Sequence, residues 1–112
     1  MMSTPGDLIR HLDQAVEELK RYGAEKIILF GSLARGEADA YSDIDLVVVK
    51  PTAMQFVDRL ADVVRRCPGL SCADVIVYTP EELERMQEAE NPFIEQVLRE
   101  GKTLYETPQA TS

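Results

Sequence analysis

The sequence is poor in several residue types on which common functions depend. Its single histidine, His11, gives no support to histidine-based catalysis, and its two cysteines lack the neighbouring histidines of a structural zinc site. The net charge of −8 argues against a broad nucleic-acid-binding face. No apolar run approaches the ~20 residues of a membrane span, and the N-terminus lacks a secretory pattern. We therefore expect a cytoplasmic protein that binds neither membranes nor nucleic acid directly.

The apolar pattern predicts one small domain over residues 1–106 and a disordered polar tail over 107–112. Short apolar runs indicate strands, and longer stretches with apolar residues every three or four positions indicate helices. We expect an α+β fold, close to α/β, with a small mixed sheet of three to four strands flanked by helices. The predicted strands cover 26–30, the run from Asp43-Ile44-Asp45 to Val49, 73–78 and 103–105, and the predicted helices cover 7–22, 53–66, 80–89 and a last stretch ended by Gly101.

Three further features of these elements can be checked against the fold. The helix predicted over 53–66 is amphipathic, and its apolar face consists of Phe56, Val57, Leu60, Val63 and Val64. The acidic helix over 80–89 is interpreted as solvated, with a docking face for a basic partner as the alternative. Cys67 and Cys72 are expected to be free thiols, at least one of them partly buried.

Two aspartates, Asp43 and Asp45, stand two residues apart at the start of the second strand. A strand points residues i and i+2 to the same face, so the carboxylates lie side by side, roughly 6.5 Å apart along the chain. Two like charges this close repel unless a cation lies between them, and Mg²⁺ prefers carboxylate and phosphate oxygens. The alternative is a solvated acidic turn, which is common for an isolated Asp-x-Asp.

Gly31 and Ser32 follow the first predicted strand. Glycine lets the backbone turn tightly and approach a ligand, and Ser32 can cap a short helix whose free N–H groups favour phosphate. Alone, the pair equally describes an ordinary capped turn. Arg35, the nearest basic residue, could contact a phosphate bidentately or form a surface salt bridge with Glu37 or Asp39.

The predicted topology brings these residues together. A short, turn-rich connection makes the first two strands antiparallel, and a helical crossover makes the second and third strands parallel. Asp74, near the start of the third strand, would then lie beside Asp43 and Asp45, at the same edge as Gly31 and Ser32. Three carboxylates and a phosphate-binding turn at one edge predict a site for nucleotide transfer.

The string from Gly31-Ser32, across ten residues, to Asp43-Ile44-Asp45 resembles the signature of the minimal nucleotidyltransferases (MNT domains) of the DNA polymerase beta superfamily. The flanking Ala34-Arg35-Gly36 and Ser42 are similar to its prokaryotic branch, and the resemblance covers about residues 8–105. It implies a catalytic, metal-binding set that holds two Mg²⁺ ions: Asp43, Asp45 and Asp74. It also implies a set that binds ATP or another nucleoside triphosphate: Gly31, Ser32, Arg35 and Ser42.

The resemblance further implies transfer of a nucleoside monophosphate, such as AMP, to a hydroxyl acceptor, and an antitoxin role beside a helical HEPN-type toxin. The chain is too short to carry its own acceptor domain. The acceptor would therefore bind in a shallow cleft, at an interface within a homo-oligomer, or as a partner protein. The main alternative is a non-catalytic antitoxin or regulatory subunit that masks its partner. Acyl or glycosyl transfer by paired carboxylates would leave the Gly-Ser turn without a purpose.

Overall fold

The computed structural model describes residues 5–31, 34, 44–68 and 73–108. Its elements confirm the predicted α+β class, all four predicted strands, and three of the predicted helices to within two residues. None of the described helices is long and apolar enough to cross a membrane. The elements follow one another as α1 (Pro5–Tyr22), β1 (Lys26–Phe30), β2 (Ile44–Val49), α2 (Phe56–Arg66), β3 (Ala73–Tyr78), α3 (Pro80–Glu88), α4 (Pro92–Glu100) and β4 (Lys102–Glu106).

The described strands form one mixed sheet in the order β3-β2-β1-β4. β1 is antiparallel to both β2 and β4, whereas β2 and β3 are parallel, because the α2 crossover returns the chain to the same end of the sheet. The register pairs Phe30 with Asp45 across β1 and β2, and Asp45 with Asp74 across β2 and β3. The end of β1 and the starts of β2 and β3 therefore meet, as the predicted topology required.

The two faces of the sheet are covered unequally. Successive strand residues point to opposite faces, so each strand contributes to both. One face packs against α1 and α2 and forms the larger core, whose fully buried members include Ala15, Leu19, Ile27, Leu46, Val48 and Val63. The other face packs against α4 through a smaller cluster of Ile28, Val47 and Val97, bordered by Phe30 and Tyr78.

The predicted apolar face of the second helix is wrong in its first half and confirmed in its second, where Val63 is buried and Val64 packs against the larger core. α2 begins at Phe56, three residues later than predicted, and three residues of that face are exposed to solvent: Phe56, Val57 and Leu60. Arg59 and Asp62 are buried instead, together with Val63. The first half of α2 therefore turns a charged side chain towards the sheet and leaves its apolar residues outside.

Hydrogen bonds explain the burial of Arg59. Its guanidinium donates to the backbone oxygens of Met54 and Val77, 3.0 and 3.1 Å away, and to both carboxylate oxygens of Glu82 on α3. Glu82 also completes a capping box with Thr79 at the start of α3. A buried charge with this many partners is tolerated, and apolar periodicity alone gives no sign of it.

Candidate functional site

The predicted site residues fall into two groups. Three of them lie in the described part of the chain: Gly31, Asp45 and Asp74. The others lie outside the described residues, so their positions and roles stay predictions: Ser32, Arg35, Ser42 and Asp43.

Asp45 and Asp74 are neighbours across the parallel pair β2–β3. They are Cα partners in the register, so their backbones are roughly 4.8 Å apart and their side chains point to the same face. This is the face that packs on α4, because Asp45 precedes Leu46, which belongs to the larger core on the other side. Asp45 is half-buried and Asp74 is exposed. The end of the sheet thus presents one sheltered and one accessible carboxylate.

Gly31 brings the end of β1 into contact with Asp45. Its φ angle is +80°, a left-handed conformation that glycine adopts without strain. A Cβ atom at this position would overlap the Oδ2 atom of Asp45, so a residue with a side chain would displace the carboxylate. Gly31 and the start of β2 are therefore in close contact.

The chemistry of the pair fits a divalent cation. Neighbouring carboxylates repel each other, and a hard cation with oxygen ligands relieves that repulsion. The close approach of Gly31 also keeps the Oδ2 atom of Asp45 beside the turn that is predicted to bind phosphate. Among the residues that the structure describes, no group of three or more His, Cys, Asp or Glu side chains is placed to hold a metal ion. Asp43, the remaining predicted ligand, lies outside them.

Two other acids, Asp62 and Glu82, have structural partners and lie on other elements. The Tyr22 hydroxyl donates to Asp62 over 2.6 Å and is the main cause that lowers the pKa of Asp62. Burial, followed by this hydrogen bond, raises the pKa of Tyr22 to about 12. The guanidinium of Arg59 likewise lowers the pKa of Glu82. These carboxylates are matched to donors within the fold, which argues for structural roles.

A small cavity lies directly beside Gly31, and the sequence analysis missed it. Its volume is about 160 Å³, and it lies between the end of β1 and one side of α4. The rings of Phe30 and Phe93 meet edge to face there, with centroids 5.6 Å apart and planes at 87°. The two phenylalanines belong to separate elements, β1 and α4, and only the docking of α4 on the sheet brings them together. The lining consists of Phe30, Gly31, Phe93, Gln96, Val97 and Glu100.

Comparison with known proteins gives one family model and several solved structures. The model for "Polymerase beta, Nucleotidyltransferase" matches residues 13–110, which is most of the chain. No curated protein is similar enough to count as a match. A crystal structure of a candidate nucleotidyltransferase from Sulfolobus solfataricus is 32% identical, with 69% of this chain and 74% of that chain covered and a TM-score of 0.53.

Two further structures resemble the chain over more of its length. A candidate minimal nucleotidyltransferase is 28% identical, with 89% of this chain and 95% of that chain covered and a TM-score of 0.58. A toxin–antitoxin crystallised with AMP-PNP is 23% identical, with 87% of this chain and 74% of that chain covered and a TM-score of 0.56. At 23% identity, the likeness to the toxin–antitoxin structure is one of fold alone.

Proposed function

The chain belongs to the polymerase beta nucleotidyltransferase family, and from this premise we propose that it transfers AMP from ATP to a hydroxyl group of a partner toxin of HEPN type, as that toxin's antitoxin. The observation that carries the proposal is the meeting of three segments at one end of the sheet. Gly31 ends β1 against the carboxylate of Asp45, and Asp74 lies beside Asp45 on β3. This arrangement supports a site that accepts a phosphate chain next to two carboxylates.

The transfer depends on positioning and on charge neutralisation more than on covalent catalysis. The oxygen of the acceptor hydroxyl forms a bond to the α-phosphorus, the bond from that phosphorus to the bridging oxygen breaks, and pyrophosphate leaves. Asp74 is the accessible carboxylate, so we assign to it the proton of the hydroxyl. The predicted ligands of the leaving phosphates are Ser32, Arg35 and Ser42. Asp43, Asp45 and Asp74 would hold Mg²⁺, which neutralises phosphate charge and acidifies the hydroxyl.

Features of the chain support a protein as the acceptor. The net charge of −8 suits a basic protein better than a nucleic acid. Phe56, Val57 and Leu60 also expose apolar surface at the start of α2, as protein-binding surfaces do. A toxin–antitoxin with AMP-PNP has the same fold, which makes a toxin and an adenine nucleotide the first partners to test.

The decisive experiment titrates the activity of a cognate toxin against this protein, with ATP and Mg²⁺, and measures the intact mass of the toxin. We expect a small amount of wild-type protein to inactivate an excess of toxin and to add one AMP. Label should move from the α-phosphate of ATP and not from the γ-phosphate. Asp45→Asn should fail at this low ratio, while Asp13→Asn, an equal change of charge at an exposed position of α1, should act like the wild type.

If the protein only masks the toxin and does not modify it, the titration should look different. It would protect at about one copy per toxin, without ATP, and Asp45→Asn would protect as well as the wild type. That result, with no gain in the mass of the toxin, would remove the enzymatic proposal. Transfer of the γ-label would also contradict it, because a kinase and not a nucleotidyltransferase moves that phosphate.

A further inference from the structure

The cavity beside Gly31 lies on the same face of the sheet as the two carboxylates. Phe30 is the Cα partner of Asp45 in the antiparallel pair β1–β2, so their Cα atoms are roughly 4.5–5.5 Å apart and their side chains are neighbours. Gly31, which touches the Asp45 carboxylate, is also part of the cavity lining. A molecule whose phosphates lie beside Gly31 and the carboxylates could therefore extend along the same face into this cavity.

The walls of the cavity are aromatic and apolar. Val97 is buried, Phe30 is half-buried, and Phe93 keeps 36% of its surface exposed although it packs against Phe30. An exposed aromatic ring beside a small cavity offers a face on which a flat heterocycle can stack. The volume of about 160 Å³ is enough for one ring system and too small for a folded partner segment.

The rim of the cavity is polar on one side only. Phe93, Gln96, Val97 and Glu100 follow one another at spacings of three, one and three residues, so they form a single stripe along α4. Gln96 carries an amide with both a donor and an acceptor, and Glu100 carries an acceptor. A ring that stacks on Phe93 would present its edge to these two side chains.

We propose that this cavity is the subsite for the nucleobase of the nucleoside triphosphate and that it selects adenine. The inference rests on the proposed function, since it places the base of the substrate of that same site. The amide of glutamine pairs with the N6 amino group and the N7 atom of adenine, a donor and an acceptor in the matching order. Guanine offers two acceptors on the same edge, and its O6 atom would face the carboxylate of Glu100. Phe93 supplies the stacking, and Gln96 determines the specificity.

A second, larger cavity does not fit this role. It has a volume of about 320 Å³ and lies among Phe56, Tyr78, Glu82, Arg85 and Met86. Tyr78 is four residues beyond Asp74 on β3, which is roughly 13 Å along the strand. Gly31, the residue that contacts Asp45, lines the smaller cavity and does not line the larger one.

The test measures the binding of three ligands by calorimetry in the presence of Mg²⁺: ATP, GTP and inorganic tripolyphosphate. We expect wild-type protein to bind ATP more tightly than GTP and both more tightly than tripolyphosphate. Phe93→Ala should weaken ATP binding about 10-fold, within the range for loss of one stacked base, and leave tripolyphosphate binding unchanged. Leu98→Ala removes a side chain of similar exposure, 37%, from the same helix and should change neither affinity.

Two more variants separate stacking and specificity from folding. Phe93→Leu keeps an apolar side chain against Phe30 and should still lose most of the preference for ATP over tripolyphosphate. Gln96→Leu keeps the shape of the side chain without its amide and should bring the affinities for ATP and GTP together. Circular dichroism of each variant identifies any that does not fold.

The outcomes distinguish this proposal from the function on which it rests. If the wild type binds ATP no more tightly than tripolyphosphate, or if the Phe93 and Leu98 variants behave alike, the base lies elsewhere, and the nucleotidyltransferase proposal still stands. If the wild type binds none of the three ligands, both proposals are wrong. Equal affinity for ATP and GTP, lost together in Phe93→Leu, would contradict adenine selection by Gln96.

Discussion

The two faces of the sheet are built from alternate residues of the same strands, yet their compositions differ sharply. On the face towards α1 and α2, Leu46 and Val48 are fully buried in the larger core. On the face towards α4, Val47 is buried in a small cluster, and the neighbouring positions carry Asp45 and Asp74. One face therefore holds most of the apolar contacts, and the other holds the charged groups that the proposed chemistry needs.

This difference shows how a chain of 112 residues can combine a stable fold with a costly site. Two neighbouring carboxylates occupy positions of the sheet where apolar side chains would otherwise pack. The apolar burial that stabilises the fold lies one residue away, at Leu46, on the opposite face of the same strand. Stability and activity should therefore respond separately to substitutions at adjacent positions of β2.

The largest expected effect is on activity, at Asp45. We expect Asp45→Asn to lower the rate of AMP transfer by about 10²–10³-fold, the scale for loss of one key electrostatic group. The variant should remain folded, because asparagine has nearly the same size and shape as aspartate. Rate assays and urea denaturation on the same preparation check this. A folded variant with undiminished transfer would show that the α4 face is not the site.

The next largest effect is on stability, at Leu46, which follows Asp45 on β2. Leu46→Ala should lower the unfolding free energy by about 2–5 kcal/mol, because it opens a cavity in the larger core. At a temperature where the variant remains folded, the rate of transfer should stay close to that of the wild type. Denaturant titrations and rate assays measure the two quantities. A large loss of rate in folded Leu46→Ala would mean that the two faces are coupled.

A pair of glycines tests the contact between the turn and the carboxylate. Gly31→Ala and Gly23→Ala both place a side chain at a positive φ, +80° and +110°, so both should lose about 1–3 kcal/mol of stability. The new Cβ at position 31 also overlaps the Asp45 Oδ2 atom, whereas at position 23 it meets only the flexible end of Lys50 at 3.3 Å. We expect about 10²-fold slower transfer in Gly31→Ala alone. Equal rates in both variants would contradict the assignment of this turn.

The smallest effect concerns pH and the ion pair at the other end of β3. Arg59 lowers the pKa of Glu82 in the folded state, so this stabilisation is present above the ordinary carboxyl pKa and is lost as the pH falls through the folded value. Glu82→Gln should therefore cost about 1 kcal/mol near pH 7, and the difference from the wild type should shrink below about pH 4.5.

Glu81→Gln is the matched control for this pH dependence, because Glu81 lies in the same first turn of α3 and is exposed. Thermal unfolding of the three proteins across pH 3–8 makes the comparison. A difference between wild type and Glu82→Gln that does not change with pH would show that the carboxylate charge of Glu82 is not the cause.

The strands and their topology were predictable because local patterns determine them. The apolar run at 44–49 and the crossover through α2 required Asp45 and Asp74 to meet, and the register confirms it. The burial of Arg59 was not predictable, because its partner Glu82 is 23 residues away and the contact depends on how α2 docks. The cavity between Phe30 and Phe93 depends on the docking of α4 in the same way. Helix placement on the sheet is a tertiary property, and periodicity within one segment does not contain it.

The hydrogen bond from Arg59 to the Val77 oxygen has a consequence for folding fidelity. β3 is an outer strand, and a slip of one residue would turn Asp74 to the opposite face while leaving the strand pairing intact. Such a molecule would be compact and inactive. Arg59 on α2 donates to Val77 within β3 and to Glu82 shortly after it, so two of its contacts depend on the position of β3 along the sheet. A slipped strand could not keep these two contacts together, so the guanidinium favours the register that places Asp74 beside Asp45.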